Sequence, residues 1–160
     1  MLERAVQRKL SELLPSYKVK MTDQGFDSPD RDNYSLVDVV VLNALEQPVL
    51  GVECKLSETK FNKCKKFNGW DGDFNTPINQ TSLRKYKSSS FPFYLVNINK
   101  FCHRAFAASL QTILASPHDY GVKKPWGALV YNVDSTNWLS WYEDFTLTDI
   151  LTDIIRRELC

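Results

Sequence analysis

The fold is decided by two neighbouring segments, Ser35-Leu-Val-Asp38-Val-Val-Val-Leu42 and Val49-Leu-Gly-Val-Glu53-Cys-Lys55. Both are rich in β-branched and aliphatic residues, and the stretch between them, Asn43 to Pro48, is typical of a turn. The two segments therefore predict a β-hairpin. Two carboxylates and an ammonium interrupt these apolar strands, and burying such charges is unfavourable unless they are paired or bind a metal.

Side chains alternate between the two faces of a strand, so Glu53 and Lys55 share one face. The other face carries an apolar row suited to packing beneath a helix: Leu50, Val52, Cys54 and Leu56. A turn centred on residues 43–48 pairs Leu42 with Val49. In that antiparallel register Asp38 lies opposite Glu53, with their Cβ atoms about 5 Å apart. Carboxylates this close repel each other unless a divalent cation lies between them, so the hairpin predicts a hard-metal site built from oxygen ligands.

The pattern Asp38, fourteen intervening residues, then Glu53-Cys54-Lys55 resembles the D…(D/E)-x-K signature of the PD-(D/E)XK nuclease superfamily. This resemblance implies an α/β fold with a restriction-endonuclease-like or Holliday-junction-resolvase-like core. In such a core a mixed β-sheet is flanked by helices in the order αβββαβ. It also implies metal-dependent hydrolysis of phosphodiester bonds, with DNA favoured over RNA and endonuclease over exonuclease activity.

The same resemblance implies a role for each residue of the signature. Asp38 and Glu53 would hold Mg²⁺ or Mn²⁺, and the backbone carbonyl of Cys54 would be a further ligand. Lys55 would orient the attacking water or help to deprotonate it. Val37 stands where the signature has proline, and a literal Pro29-Asp30 occurs upstream. That dipeptide lies in a loop-like segment, so we assign the role to Asp38.

An amphipathic first helix is predicted before the hairpin, because Leu2, Val6, Leu10 and Leu13/Leu14 recur at helical spacing and Pro15 ends the run. Several branches of the superfamily carry a metal-directed glutamate on such a helix, which makes Glu3 a candidate ligand. A glutamate in a first turn also favours the helix dipole without any metal. Both interpretations of Glu3 stay open. Tyr17 to Met21 alternates as a first strand.

Downstream of Lys55, the segment Asn75 to Tyr86 predicts a helix with Pro77 near its start. Trp70, Asn75, Pro77 and Gln80 also resemble the nuclease-related domain known as NERD. That narrower resemblance implies that Gln80 lies beside the metal site and contacts water or phosphate. The alternative is an ordinary exposed glutamine on a helix.

The remaining segments are interpreted as scaffold. Phe91 to Asn97 predicts a strand in or near the centre of the sheet, and Phe101 to Ser116 predicts a helix. Gly127 to Val133 and Trp138 to Tyr142 predict a C-terminal hairpin. Thr146 to Leu159 predicts a final helix.

The net charge is only +1, but its distribution is uneven. Residues 55–104 carry ten Lys and Arg against three acidic residues, a balance of +7. In Lys60 to Phe67 the cations alternate with aromatics, a composition suited to phosphate contact and base stacking. The candidate nucleic-acid contacts are Lys60, Lys63, Lys65, Lys66, Arg84, Lys85 and Lys87. The alternative is a solvated charged surface.

A length of 160 residues suits a single domain, 1–160, with a substantial core. The chain has neither an apolar stretch of transmembrane length nor a signal-peptide pattern, so we expect a cytoplasmic protein with no membrane partner. The four cysteines lack paired metal-ligand spacing and the density of a disulfide scaffold, and are expected to be reduced. No Gly-x-Ser-x-Gly motif supports a serine hydrolase.

Three functions remain open on sequence alone. The first is a DNA nuclease, for which a homodimer would let one site address each strand. The second is an endoribonuclease of the same fold. The third is a nucleic-acid-binding or assembly module that keeps the fold without turnover, against which the intact Asp38, Glu53 and Lys55 argue.

Overall fold

The computed structural model describes residues 2–22, 37–57, 75–79, 87, 89–99, 104–115, 118–119, 128–132, 140–143 and 146–160. Three helices have both of their ends within these ranges: α1 (Leu2–Leu13), α2 (Leu110–Ala115) and α3 (Leu147–Glu158). The strands are β1 (Lys18–Met21), β2 (Val39–Leu42), β3 (Pro48–Ser57), β4 (Asn75–Asn79), β5 (Phe93–Asn99), β6 (Arg104–Ser109), β7 (His118–Asp119), β8 (Ala128–Asn132) and β9 (Ser140–Glu143). No helix in the described ranges is long and apolar enough to cross a membrane.

The main sheet has six strands in the order β1-β2-β3-β5-β6-β9. It is mixed, because β3 and β5 run parallel while its other neighbouring strands are antiparallel. A second sheet has three strands in the order β4-β8-β7. The molecule therefore belongs to the α/β class, as the sequence predicts.

The β2–β3 hairpin closes through a turn organised by Asn43. The side-chain oxygen of Asn43 accepts hydrogen bonds from the backbone N–H groups of Leu45 at 2.9 Å and Gln47 at 3.0 Å. Glu46 adopts a left-handed backbone conformation with φ of 58°. A short loop whose last residue is left-handed is a common hairpin connection, and it offsets the pairing of the strands beyond it. Lys18 on β1 supports the loop through an ion pair with Glu46 at 2.8 Å.

The hairpin register differs from the predicted one beside the turn and agrees with it farther away. Leu42 pairs with Pro48, so the predicted pairing with Val49 is wrong. An irregularity between Val41 and Leu42 then shifts the register. Beyond it, Val41, Val40 and Val39 pair with Leu50, Gly51 and Val52, as predicted, and one further step in the same register would bring Asp38 opposite Glu53. Without the shift, Asp38 would lie opposite a residue of the apolar face, because a one-residue slip exchanges the faces of a strand.

Two of the predicted helices are wrong in part. Asn75–Asn79 forms β4 rather than the start of a helix, and residues 80–86 lie outside the described ranges. Arg104–Ser109 forms β6, and only Leu110–Ala115 is helical. The apolar spacing that indicated a helix there is ambiguous in so short a run, and pairing with both β5 and β9 favours a strand. The αβββαβ order is therefore not confirmed after its first four elements.

The predicted C-terminal hairpin is also wrong. Both of its strands exist, but β8 pairs with β4 and β7, whereas β9 pairs with β6 in the main sheet. Turn residues between two strands show that the chain reverses direction. They do not determine which partner each strand finds, because cross-strand packing decides that.

Helices α1 and α3 cover one face of the main sheet and form its core. Val6 and Leu10 of α1 pack with apolar residues of α3 against side chains from β2, β3, β5 and β6; the α3 residues are Ile150, Leu151 and Ile154. Both helices match their predictions. A capping box begins α3, in which the Thr146 side chain accepts from the Asp149 N–H at 3.2 Å and Asp149 accepts from the Thr146 N–H at 3.4 Å.

Candidate active site

The predicted signature residues lie on the face of the main sheet opposite α1 and α3. Leu50 and Val52 belong to the core beneath the helices, so the alternation along β3 places Glu53 and Lys55 on the other face. Both charged side chains are half-buried. One further step in the β2–β3 register would place Asp38 in the same row as Glu53. The two carboxylates and the ammonium would then share one face.

The sequence predicts that Asp38 lies within the strand, but in the structure it lies one residue before β2. Its side chain nevertheless makes a hydrogen bond to the neighbouring strand, as a backbone carbonyl in the sheet would. One oxygen of its carboxylate accepts a hydrogen bond from the backbone N–H of Cys54 at 2.8 Å. This bond continues the pairing of β3 beyond Val39, the first residue of β2. Asp38 therefore has a structural function in addition to any chemical one.

Thr22 holds the backbone on the other side of Asp38. Its N–H donates to the Asp38 carbonyl at 3.1 Å, and its hydroxyl donates to the Val37 carbonyl at 2.6 Å. These bonds extend the β1–β2 pairing past its last strand residues. The backbone at Asp38 is consequently fixed from both neighbouring strands, which determines where its carboxylate points.

The electrostatics of Cys54 show that three acidic side chains are near this point of β3. Burial raises the pKa of the Cys54 thiol first, and the charges of Asp38, Glu3 and Glu53 raise it further in that order. The Glu3 carboxylate of α1 is thus within electrostatic range of the site. Its own pKa is lowered, first by a hydrogen bond from the N-terminal ammonium and next by its own backbone N–H.

The ligand atoms available at the candidate site are of the type that a hard cation prefers. Asp38, Glu53 and the Cys54 carbonyl offer only oxygen ligands, and Mg²⁺ is commonly held by one or two carboxylates while keeping several waters. Within the described ranges, no three His, Cys, Asp or Glu side chains are grouped closely enough to hold a metal ion. Electrostatic influence extends farther than coordination distance, so Glu3 affects the Cys54 thiol without completing such a group.

Asn97 is a site residue that the sequence analysis missed. It pairs with Lys55 in the parallel β3–β5 register, so both side chains lie on the same face. Asn97 is fully buried, with 0% exposure, and it is the only buried polar or charged residue among those whose burial the structure describes. The signal available in the sequence was a single asparagine between the apolar residues Val96 and Ile98.

Gly51 is a second missed residue, two positions before Glu53. A Cβ atom at Gly51 would lie 2.7 Å from Cε2 of Phe91 and 3.0 Å from Cγ2 of Val37. Only glycine lets these two side chains approach the strand so closely. The packing below Asp38 and Glu53 therefore depends on this position.

Several predicted site residues cannot be placed. Gln80, Lys60, Lys63, Lys65, Lys66, Arg84 and Lys85 lie outside the described residues. Lys87 is described and is exposed, as a nucleic-acid contact would need to be.

No protein-family model matches this chain, and no curated protein matches it. Among solved structures, the chain is similar to that of D212, a nuclease from a fusselovirus. The sequences are 11% identical, the match covers 86% of this chain and 80% of that chain, and the TM-score is 0.48. At this level of similarity, neither a shared fold nor a shared activity follows from the match.

Proposed function

We propose that this chain is a metal-dependent nuclease of the PD-(D/E)XK type that hydrolyses phosphodiester bonds of DNA. The observation that carries the proposal is the register of β2 and β3. Continued one step past Val39 and Val52, this register would align Asp38 with Glu53 on the face that also bears Lys55. Two carboxylates and one ammonium on one sheet face have the composition needed to hold a cation next to a phosphate.

Asp38, Glu53 and the Cys54 carbonyl are the proposed ligands of Mg²⁺ or Mn²⁺, with Glu3 and Gln80 as adjuncts. A bound divalent cation would lower the pKa of a water and stabilise negative charge on the phosphate. The Cys54 N–H holds the Asp38 carboxylate in place, which is the pre-organisation that such a ligand requires.

Lys55 is the proposed catalytic cation. On the same face as Glu53 and half-buried, its ammonium can donate to a phosphate oxygen or to the attacking water. The basic segment that follows Lys55 is the proposed contact for the DNA backbone. Phosphate contacts by Lys and Arg dominate such binding and make it dependent on salt.

Cleavage assays test the proposal. The pure protein is incubated with Mg²⁺, Mn²⁺ or EDTA and with labelled supercoiled, linear, branched and single-stranded DNA and RNA. We expect metal-dependent cutting of DNA that EDTA abolishes. Nicking of the supercoiled circle would identify an endonuclease, because an exonuclease needs an end.

Matched variants make the assay specific. Asp38→Asn, Glu53→Gln and Lys55→Met should each reduce cleavage by about 10²-fold or more. Glu46→Gln and Lys18→Met make the same chemical changes at the exposed hairpin ion pair and should leave cleavage unchanged. Cutting that needs no metal, or that survives the first set of variants, would refute the proposal.

The other two functions are distinguishable outcomes of this assay. Cutting confined to RNA would identify the endoribonuclease. Tight, salt-dependent binding without cutting of any substrate would identify the binding module. Sedimentation of the protein, alone and with a DNA duplex that contains two cleavage sites, tests whether a homodimer forms.

A further inference from the structure

Asn97 is unusual because a fully buried amide interrupts an apolar strand. Asparagine is disfavoured in strands, and burying its amide is unfavourable unless hydrogen bonds replace those to water. Its neighbours along β5, Val96 and Ile98, face the helices and the core. The amide therefore lies on the face of the candidate active site.

The register restricts what the amide can contact across the sheet. On the β6 side, Asn97 pairs with Phe106, which is apolar and fully buried. On the β3 side it pairs with Lys55. Leu95, two residues earlier on the same face, is also apolar. Of the two residues paired with Asn97 across the sheet, Lys55 carries a polar side-chain group and Phe106 does not.

We propose that Asn97 is a positioning residue whose side-chain oxygen accepts a hydrogen bond from the Lys55 ammonium. The catalytic meaning of this contact rests on the proposed nuclease function, in which Lys55 acts on the phosphate or the water. A neutral amide suits the task, because it orients the ammonium without cancelling its charge. A carboxylate at this position would form an ion pair and weaken the attraction between Lys55 and a phosphate.

The test is a double-mutant cycle of Asn97→Leu and Lys55→Met, measured both by urea denaturation and by cleavage. If the two side chains interact, their effects on the free energy of unfolding are not additive, because either single change leaves the other group unpaired. In cleavage, Asn97→Leu should lower kcat by about 10²-fold with little change in KM, since misplacing a catalytic group has an effect of that size. It should have no further effect in the Lys55→Met background.

Val96→Ala is the matched control. Val96 is adjacent on β5 and fully buried, but it faces the core, so its loss should destabilise the protein without changing kcat below the melting temperature. Asn97→Ala serves in the same cycle if the leucine variant does not fold.

Additive effects on unfolding, with the kcat of Asn97→Leu equal to that of the wild type, would overturn the inference. If the wild type cuts no substrate, the proposed function fails. The urea cycle alone then decides whether Asn97 holds Lys55.

Discussion

The carboxylate of Asp38 accepts a hydrogen bond from the backbone N–H of Cys54, with 2.8 Å between oxygen and nitrogen. Asp38 thereby connects the start of β2 to the middle of β3, next to Glu53. The same side chain is proposed to hold a cation. Because a carboxylate has several acceptor positions, one bond to the backbone is compatible with a second role. The structural and chemical contributions of Asp38 can be separated by the choice of substitution.

Asp38→Ala and Asp38→Asn should differ in stability and agree in activity. Alanine leaves the Cys54 N–H without its acceptor, which costs about 1–3 kcal/mol for a buried donor. Asparagine retains an acceptor oxygen at nearly the same place and should remain close to the wild type in urea denaturation. Both variants lose the carboxylate and should lose cleavage. Equal stability of the two variants would contradict the structural role of this bond.

Thr22→Val should weaken the attachment of Asp38 while preserving side-chain shape. The substitution removes the hydroxyl that donates to the Val37 carbonyl at 2.6 Å. We expect a loss of about 1 kcal/mol in the free energy of unfolding, and slower cleavage because the Asp38 backbone is less constrained. Ser11→Ala, which removes an exposed helix hydroxyl bonded to the Gln7 carbonyl, is the control and should change neither property. Unchanged cleavage and stability in Thr22→Val would refute this role.

Gly51→Ala should destabilise the protein by about 1–3 kcal/mol, because the added methyl group overpacks the space beside Phe91 and Val37. The measurement is urea denaturation of the single and double variants. Phe91→Leu shortens the nearest side chain, so adding it to Gly51→Ala should recover part of the loss, although Phe91→Leu alone destabilises. Strictly additive losses would show that the two positions are not in contact.

Tyr94→Phe should reduce stability in a manner that depends on pH. The Tyr94 hydroxyl donates to a carboxylate oxygen of Glu158 at 2.6 Å, a bond worth about 1.5–3 kcal/mol when one partner is charged. Burial first, and then this bond, raise the pKa of Tyr94 above its ordinary value. The pKa of Tyr94 is therefore higher in the folded protein than in the unfolded chain, where it is about 10. In that case the contribution of Tyr94 to the free energy of unfolding is complete below about pH 10 and is lost as the pH rises further.

The stability difference between wild type and Tyr94→Phe should therefore be constant from neutral pH to about pH 9 and shrink at higher pH. Denaturation midpoints measured across this range check this expectation. A difference that grows with pH would contradict the bond.

Predictions from the sequence succeeded where the conformation depends on residues that are close together in the chain. The faces of β3 follow from the alternation of side chains, so Glu53 and Lys55 could be assigned to one face in advance. Helix α3 followed from its apolar spacing. The predicted register of the hairpin holds for Val39 to Val41 and is wrong at Leu42, where an irregularity in β2 shifts the pairing.

Predictions failed where a distant partner decides the conformation. The segment Arg104–Ser109 contains three alanines and has helical character in isolation, yet it forms β6 between β5 and β9. Ala105 and Ala107 belong to the core beneath the helices, where small side chains suit close packing. The sequence of the segment itself does not indicate that it will pair with one strand on each side.

The sequence by itself determined which residues share a face, where α1 and α3 lie, and which carboxylates and lysine form the candidate site, because these follow from the repeat of a strand or a helix. Only the tertiary structure decided that β5 lies beside β3, which brings Asn97 next to Lys55, and that the Cys54 N–H donates to the Asp38 carboxylate. Those contacts join residues far apart in the chain. They depend on which surfaces bury one another in the folded protein, and that selection has no local signature.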